Sequence, residues 1–283
     1  MAVKYLSLVF TRGESRRSAG VINPGPEGLV VGTMLAEILT VGDELLTGNT
    51  VDSNSSFIAK RLTEKGYVVR RKTTVGDDVE EIAGVIEEIL GRKPRVLVIS
   101  GGLGPTHDDV TMLGVARALG RNLVLCEPCL ERIAEFYRKL HERGLIDDPE
   151  LNEARRKMAY LPEGSKPLEN PEGAAPGAFI EHNGVKIFVL PGMPREMKAM
   201  LEKEVLPELG AGRFTQRKLL AEVTDESKLA PVLRETLKRF NVRIHSSPKG
   251  FGRYIGIIIF SESEEEIERA RAFMESLGVR FEE

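Results

Sequence analysis

The chain has 283 residues, 41% of them hydrophobic and 29% charged, with 40 Lys+Arg against 43 Asp+Glu and a formal net charge of −3. That length suits one large domain or two modest ones with a real core, and the composition excludes a disordered chain. The slight acidic excess weighs against a dedicated binder of nucleic acid or anionic membrane, and no apolar run is long enough to span a bilayer.

Residues 1–33 read apart from the rest: a short apolar stretch, then TRGESRRSAG, then a Gly/Pro-rich VINPGPEGLVVG. No small-residue cleavage site follows the apolar stretch, so the segment is expected to be an unstructured leader or a product of a misassigned start, with Met34 the natural beginning. From Met34, strands and helices alternate. The pattern predicts strands over 36–41, 67–74 and 95–100, and helices over 52–65, 79–91 and 108–119. RVLVIS at 95–100 is continuously apolar, as in a strand buried on both faces. This order predicts an α/β fold with a mostly parallel sheet and helices on both sides. Further helices are expected over 128–144, 150–160 and 194–209. Asn183-Gly184 between two apolar runs predicts a hairpin, since both central positions of a type I′ turn need positive φ. After the Gly-rich junction at 210–213, a β-α-β-β-α order over 219–277 predicts a small α+β domain. The expected division is therefore 1–33, 34–212 and 213–283.

Ligands of open parallel sheets bind at the carboxyl ends of the strands, and four loops there carry chemistry. The first strand is followed by GDELLTGNT, then Asp52, Ser53 and Asn54. Its adjacent carboxylates, Asp43 and Glu44, suit a divalent cation or a ligand hydroxyl. The second strand is followed by Val75-Gly76-Asp77-Asp78; Asp78 fits a helix N-cap, which leaves Asp77 as the functional partner. The third is followed by SGGLGPTHDDVT at 100–111. Its glycines allow an anion close to the backbone, and the helix expected from about Asp108 would aim its free N–H groups there. The loop has neither the Gly-Lys-Ser/Thr ending of a Walker loop nor dinucleotide-fold spacing. Asp108 and Asp109 beside an anion loop make sense with a bridging cation or a neutral part of the ligand. The fourth loop is Leu190-Pro191-Gly192-Met193-Pro194-Arg195-Glu196.

GDELLTG, VGDD, SGGLGPTHDDVT and LPGMP, in this order, resemble the molybdopterin-binding-domain superfamily, and within it the N-terminal part of the CinA family. The resemblance covers about 35–209; residues 217–279 resemble more loosely the KH-like domain of CinA proteins. It implies a three-layer α/β/α fold of the MoaB/Mog kind. The implied activities fork between metal-dependent hydrolysis of ADP-ribose and similar nucleotide pyrophosphates, and binding of molybdopterin or a nucleotide in cofactor metabolism without hydrolysis. The amidase module of longer CinA proteins is not expected here, because the chain ends at Glu283.

Carried over residue by residue, the resemblance implies catalytic roles for Asp43, Asp77 and Asp109. It implies metal contacts, to Mg, Mn or Co, from Asp43, Glu44 and Asp109. Substrate contacts are expected from Asn54, Gly101, Gly102, Gly104, Pro105, Thr106, Asp108, Thr111, Gly192 and Pro194. The expected partner is a nucleotide-like small molecule, with the chain as a homo-oligomer. Two cysteines cannot form a disulfide scaffold, so a cytoplasmic location is expected, and high charge with a single glutamine (Gln216) fits a thermophile. His107 is expected to be exposed and without a catalytic role. Cys126-Glu-Pro-Cys129 is expected to be a pair of incidental thiols, with a thermophile disulfide as the alternative, since a zinc site needs about four ligands. RNA binding is not expected, because the turn at 247–253 lacks the G-x-x-G of RNA-binding KH domains and the following helix is acidic.

Overall fold

The computed structural model describes residues 34–223, 225–248 and 254–282. The expected leader lies outside the described residues, as does most of the turn at 247–253.

The first half alternates as predicted: β1 (Leu35–Val41), a single helical turn α1 (Asp43–Leu46), α2 (Ser53–Glu64), β2 (Val68–Val75), α3 (Val79–Gly91), β3 (Val96–Ser100) and α4 (Thr111–Ala118). Then follow β4 (Leu123–Leu125), α5 (Glu127–Glu142), α6 (Glu153–Lys157), β5 (Tyr160–Pro162), β6 (Lys166–Leu168), β7 (Gly177–His182) and β8 (Val185–Leu190). The last helix of this part is α7 (Pro194–Met200), which widens into a π-helical turn (Leu201–Val205) and ends as α8 (Leu206–Glu208). The small unit comprises β9 (Thr215–Glu222), α9 (Glu226–Arg239), β10 (Arg243–Pro248), β11 (Tyr254–Ser261), α10 (Glu264–Ser276) and β12 (Phe281–Glu282).

The large sheet runs β2-β1-β3-β8-β7-β6. Its first four strands are parallel, and β7 and β6 are antiparallel additions. Strand alternation builds the three layers. On one face Leu39, Leu97, Ile99, Ile187 and Val189 pack with Ile82 and Ile86 of α3, Val115 of α4 and Ile133 of α5. On the other, Ile38, Val98 and Phe188 pack with Ile58 and Leu62 of α2 and Met197 and Met200 of α7. A separate core fills the small unit, where Ile255, Ile257 and Ile259 of β11 meet Leu229, Ile267 and Met274. Its sheet runs β10-β11-β9-β12 and is antiparallel throughout.

Capping chemistry sets several boundaries. Asp52 caps α2 by accepting from Ser55 N–H, and Asp78 caps α3 by accepting from Glu80 and Glu81 N–H. Asn183 (φ 49°) and Gly184 (φ 79°) form the predicted hairpin turn between β7 and β8.

Three expectations are corrected. α4 begins at Thr111, not near Asp108: Asp109 accepts from Thr106 N–H within the loop, and that local bond holds 106–109 as a turn. The helix expected over 150–160 is only the short α6, because Tyr160–Pro162 pairs with β4 as a two-stranded ribbon. The cysteines are not incidental thiols. Cys126 and Cys129 are joined, with Cα atoms 5.2 Å apart, because α5 starts between them and its first turn brings positions 126 and 129 together.

Candidate functional site

The parallel order of β2, β1, β3 and β8 gathers all four motif loops at one edge of the sheet. They enclose a cavity of about 590 Å³ whose walls include Glu44, Asp77, Gly101, Gly102, Gly104, Thr106, Asp108, Asp109, Gly192 and Pro194. The sequence motifs, more than 150 residues apart along the chain, are thus one site.

The first two loops lock each other. Asp43 N–H donates to Asp77 Oδ2 at 3.0 Å, and Asp77 N–H donates to Asp43 Oδ1 at 3.2 Å. Asp77 lines the cavity, whereas Asp43 is exposed and outside its lining. Partial burial pushes the Asp77 carboxyl above its ordinary range; the Asp43 N–H opposes this, and the like charges of Asp43, Glu44 and Asp108 add to it.

The third loop turns tightly. Gly101 has φ 122°, and its N–H donates to Leu190 O at 3.1 Å. A Cβ there would run into the Val41 carbonyl, so only glycine lets the loop cross the end of β1. The Asp109 carboxylate accepts from Thr106 N–H at 2.9 Å, and the single Thr106 hydroxyl proton lies between Asp109 and Asp108. Asp109 therefore shapes the loop from inside. Asp108 is fully exposed, and its hydrogen bond from the Thr106 hydroxyl holds its carboxyl below the ordinary range. Lys157 Nζ donates to the Thr106 carbonyl and braces the loop from α6.

The fourth loop is fastened by Asn54. Its Nδ2 donates to Gly192 O at 2.8 Å and to Ser100 Oγ at 3.1 Å, while Ser100 Oγ donates to Pro191 O at 2.9 Å. Asn54 is buried, outside the main cavity, and its Oδ1 has no partner among the described residues. Thr111 is likewise fully buried behind the loop, at the start of α4.

Several cavity residues carried no functional signal in the sequence. Phe136 and Tyr137 read only as the apolar stripe of a helix, yet they line the cavity beside Glu172 and Glu196. Burial raises the Glu196 pKa, opposed by the hydrogen bond from Asn170 Nδ2 at 2.7 Å. The pattern of α5 shows a buried face but not which end of the sheet that face reaches. His107 is exposed and lines a neighbouring groove on the far side of the loop, together with Arg156, Lys157 and Tyr160. Asp43, Glu44 and Asp109 do not gather into a metal cage: among the described residues no three His, Cys, Asp or Glu side chains are grouped as ligands.

The probable molybdopterin binding domain model matches residues 37–211, which contain all four loops. The chain belongs to this family. A protein of Thermococcus kodakarensis is 76% identical over 250 residues, covering 88% of this chain and 100% of its own. A Pyrococcus abyssi protein is 74% identical over the same share, covering 99% of its own length. The crystal structure of a CinA protein of unknown function from Thermoplasma acidophilum is 40% identical, covers 59% of this chain and 94% of its own, and superposes with a TM-score of 0.54. The chain is thus CinA-like, with a mainly parallel sheet of the molybdopterin-binding kind. None of the described helices is long and apolar enough to cross a membrane.

Proposed function

We propose that the site binds a nucleotide pyrophosphate such as ADP-ribose and hydrolyses it. The observation that carries this reading is the pairing of a glycine-lined anion loop with a like-charged carboxylate group, Asp77, Glu44 and Asp108, on one cavity wall. Backbone N–H groups of Gly102, Leu103 and Gly104 would seat the pyrophosphate, and Phe136 and Tyr137 would face the nucleoside end. Asp77 has a raised pKa and would accept the proton of the attacking water. The water oxygen bonds to phosphorus, the bridging P–O bond breaks, and the leaving phosphate carries the released electron pair. Asp43 holds Asp77 in place through the reciprocal hydrogen bonds.

The protein's own carboxylates fit a cation that arrives with the substrate better than a resident one, because no three-ligand cage is present among the described residues. Magnesium is typically held by one or two carboxylates and completed by substrate phosphates. Glu44, on the cavity wall, would supply the protein's share, and such a cation would neutralise pyrophosphate charge. The test is turnover of ADP-ribose with Mg, Mn or Co; no turnover with any of them removes the hydrolase reading. The match of residues 37–211 to a molybdopterin binding domain supports a second reading, binding of molybdopterin or a nucleotide without turnover. A molybdopterin that co-purifies with an inactive protein would select it.

A further inference from the structure

A second cavity, of about 200 Å³, lies where the β2 edge of the large sheet meets the small unit. Its walls include Tyr67 and Val69 on one side and Phe214, Gln216, Arg243 and His245 on the other. The two halves are tied here by backbone bonds: Gly212 N–H to Lys65 O at 2.8 Å and Phe214 N–H to Gly66 O at 3.2 Å.

Arg243 is the unusual member. Its Nε and Nη2 are shielded from solvent and have no hydrogen-bond partner among the described residues. The guanidinium lies 5.9 Å from the Phe214 ring centre, a contact that leaves its in-plane donors unused. No carboxylate among the described residues lines the cavity. Arg70, on the edge strand, is near enough that its charge adds to burial in holding Arg243 below the ordinary arginine range. A guanidinium stays protonated in proteins, so unpaired shielded donors leave a cation without compensation. The planar fork of Arg matches the oxygens of phosphate or carboxylate, and two nearby arginines suit a dianion over a monoanion. The volume is below the range of pockets that enclose drug-sized ligands, so the ligand must be small.

We propose that this junction cavity binds a small phosphate-bearing anion, with Arg243 as the principal contact and Gln216 and His245 as further donors. The site is separate from the four-loop cavity and joins the large sheet to the small unit, so its occupant braces the two against each other.

The test is a titration of methyl-labelled protein with inorganic phosphate, read by NMR at Val68 and Val69 beside the cavity and at Leu103 in the other site. Saturable shifts at Val68 and Val69 with phosphate, absent with chloride at equal ionic strength, are expected. R243Q should bind roughly tenfold more weakly or worse, with ADP-ribose turnover unchanged. H245A, at an exposed position, serves if R243Q does not fold, and should weaken binding about threefold. Shifts confined to Leu103, no saturation at Val68 and Val69, or undiminished binding in the folded variant would overturn the proposal. Binding of succinate as tight as that of phosphate would overturn the phosphate assignment.

Discussion

Asn54 offers a test of how the site is held. In N54A the loop loses two hydrogen bonds, one of 2.8 Å to Gly192 O and one of 3.1 Å to Ser100 Oγ. Each is worth about 1 kcal/mol net, and burial of Ser100 adds a desolvation cost of about 1 kcal/mol where its oxygen loses a donor. Against this, truncation removes Oδ1, a buried acceptor without a partner among the described residues. The sum is a loss of about 2 kcal/mol. N54D keeps the shape and replaces the donor with a carboxylate oxygen facing the Gly192 carbonyl, so its cost at neutral pH should exceed that of N54A, at about 3 kcal/mol or more. Protonation restores a donor, so the N54D deficit should shrink as pH falls through the carboxylate range. The assay is equilibrium unfolding in guanidinium chloride at pH 7 and pH 4, with the midpoint shift read at constant slope. ADP-ribose affinity should fall in both variants, since the 191–194 loop loses its tether. A folded N54A within about 0.5 kcal/mol of wild type, or an N54D no worse than N54A, would refute the account of Asn54 as the fastener.

D77N should lower ADP-ribose turnover by about a hundredfold or more while keeping the hydrogen bond from Asp43 N–H. The Asp77 pKa is raised in the folded state, so its contribution to stability is present below the ordinary carboxylate pKa and lost as pH rises through the folded value. D77N should therefore unfold at higher denaturant than wild type at pH 7, and the gap should close near pH 3; a gap that does not depend on pH contradicts the assignment. Glu37, 3% exposed on β1, accepts a two-pronged bond from Arg92 at 2.7 and 2.9 Å. R92M should cost about 3 kcal/mol by leaving that carboxylate unpaired, and adding E37Q should recover part of it. G101A should cost more than about 3 kcal/mol, or prevent soluble expression, because the obstacle is the Val41 backbone and not a movable side chain. H107A should leave turnover within about twofold, since the imidazole lines the neighbouring groove; light scattering checks the expected homo-oligomer.

Local signals located most of the secondary structure. The apolar run of β3, the cap Asp78 and the Asn183-Gly184 turn are short-range features, and each appears where its chemistry predicts. The strand-helix alternation also implied that four distant loops would share one sheet edge, because parallel strands point their ends the same way. Short strands escaped notice: β4 and β6 are three residues each, too brief for a period of two to register, and they exist because a partner strand supplies their hydrogen bonds.

Within the site, the sequence marked residue types but not their directions. Asp109 and Asp108 are equivalent as letters; the turn at Thr106 sends Asp109 into the loop and leaves Asp108 beside Asp77 and Glu44. Asn54 read as a ligand contact and is a tether, since only tertiary packing brings it against Gly192, 138 residues away. Glu196, Phe136 and Tyr137 became cavity walls through the docking of α5 and α7 onto opposite faces of the sheet. Arg243 was one arginine among many until the two sheets met around it. Periodicity and turn chemistry act within a few residues and are written in the chain. The aim of a side chain, its burial and the charges around it arise from segments that meet only on folding, and the tertiary structure alone decided them.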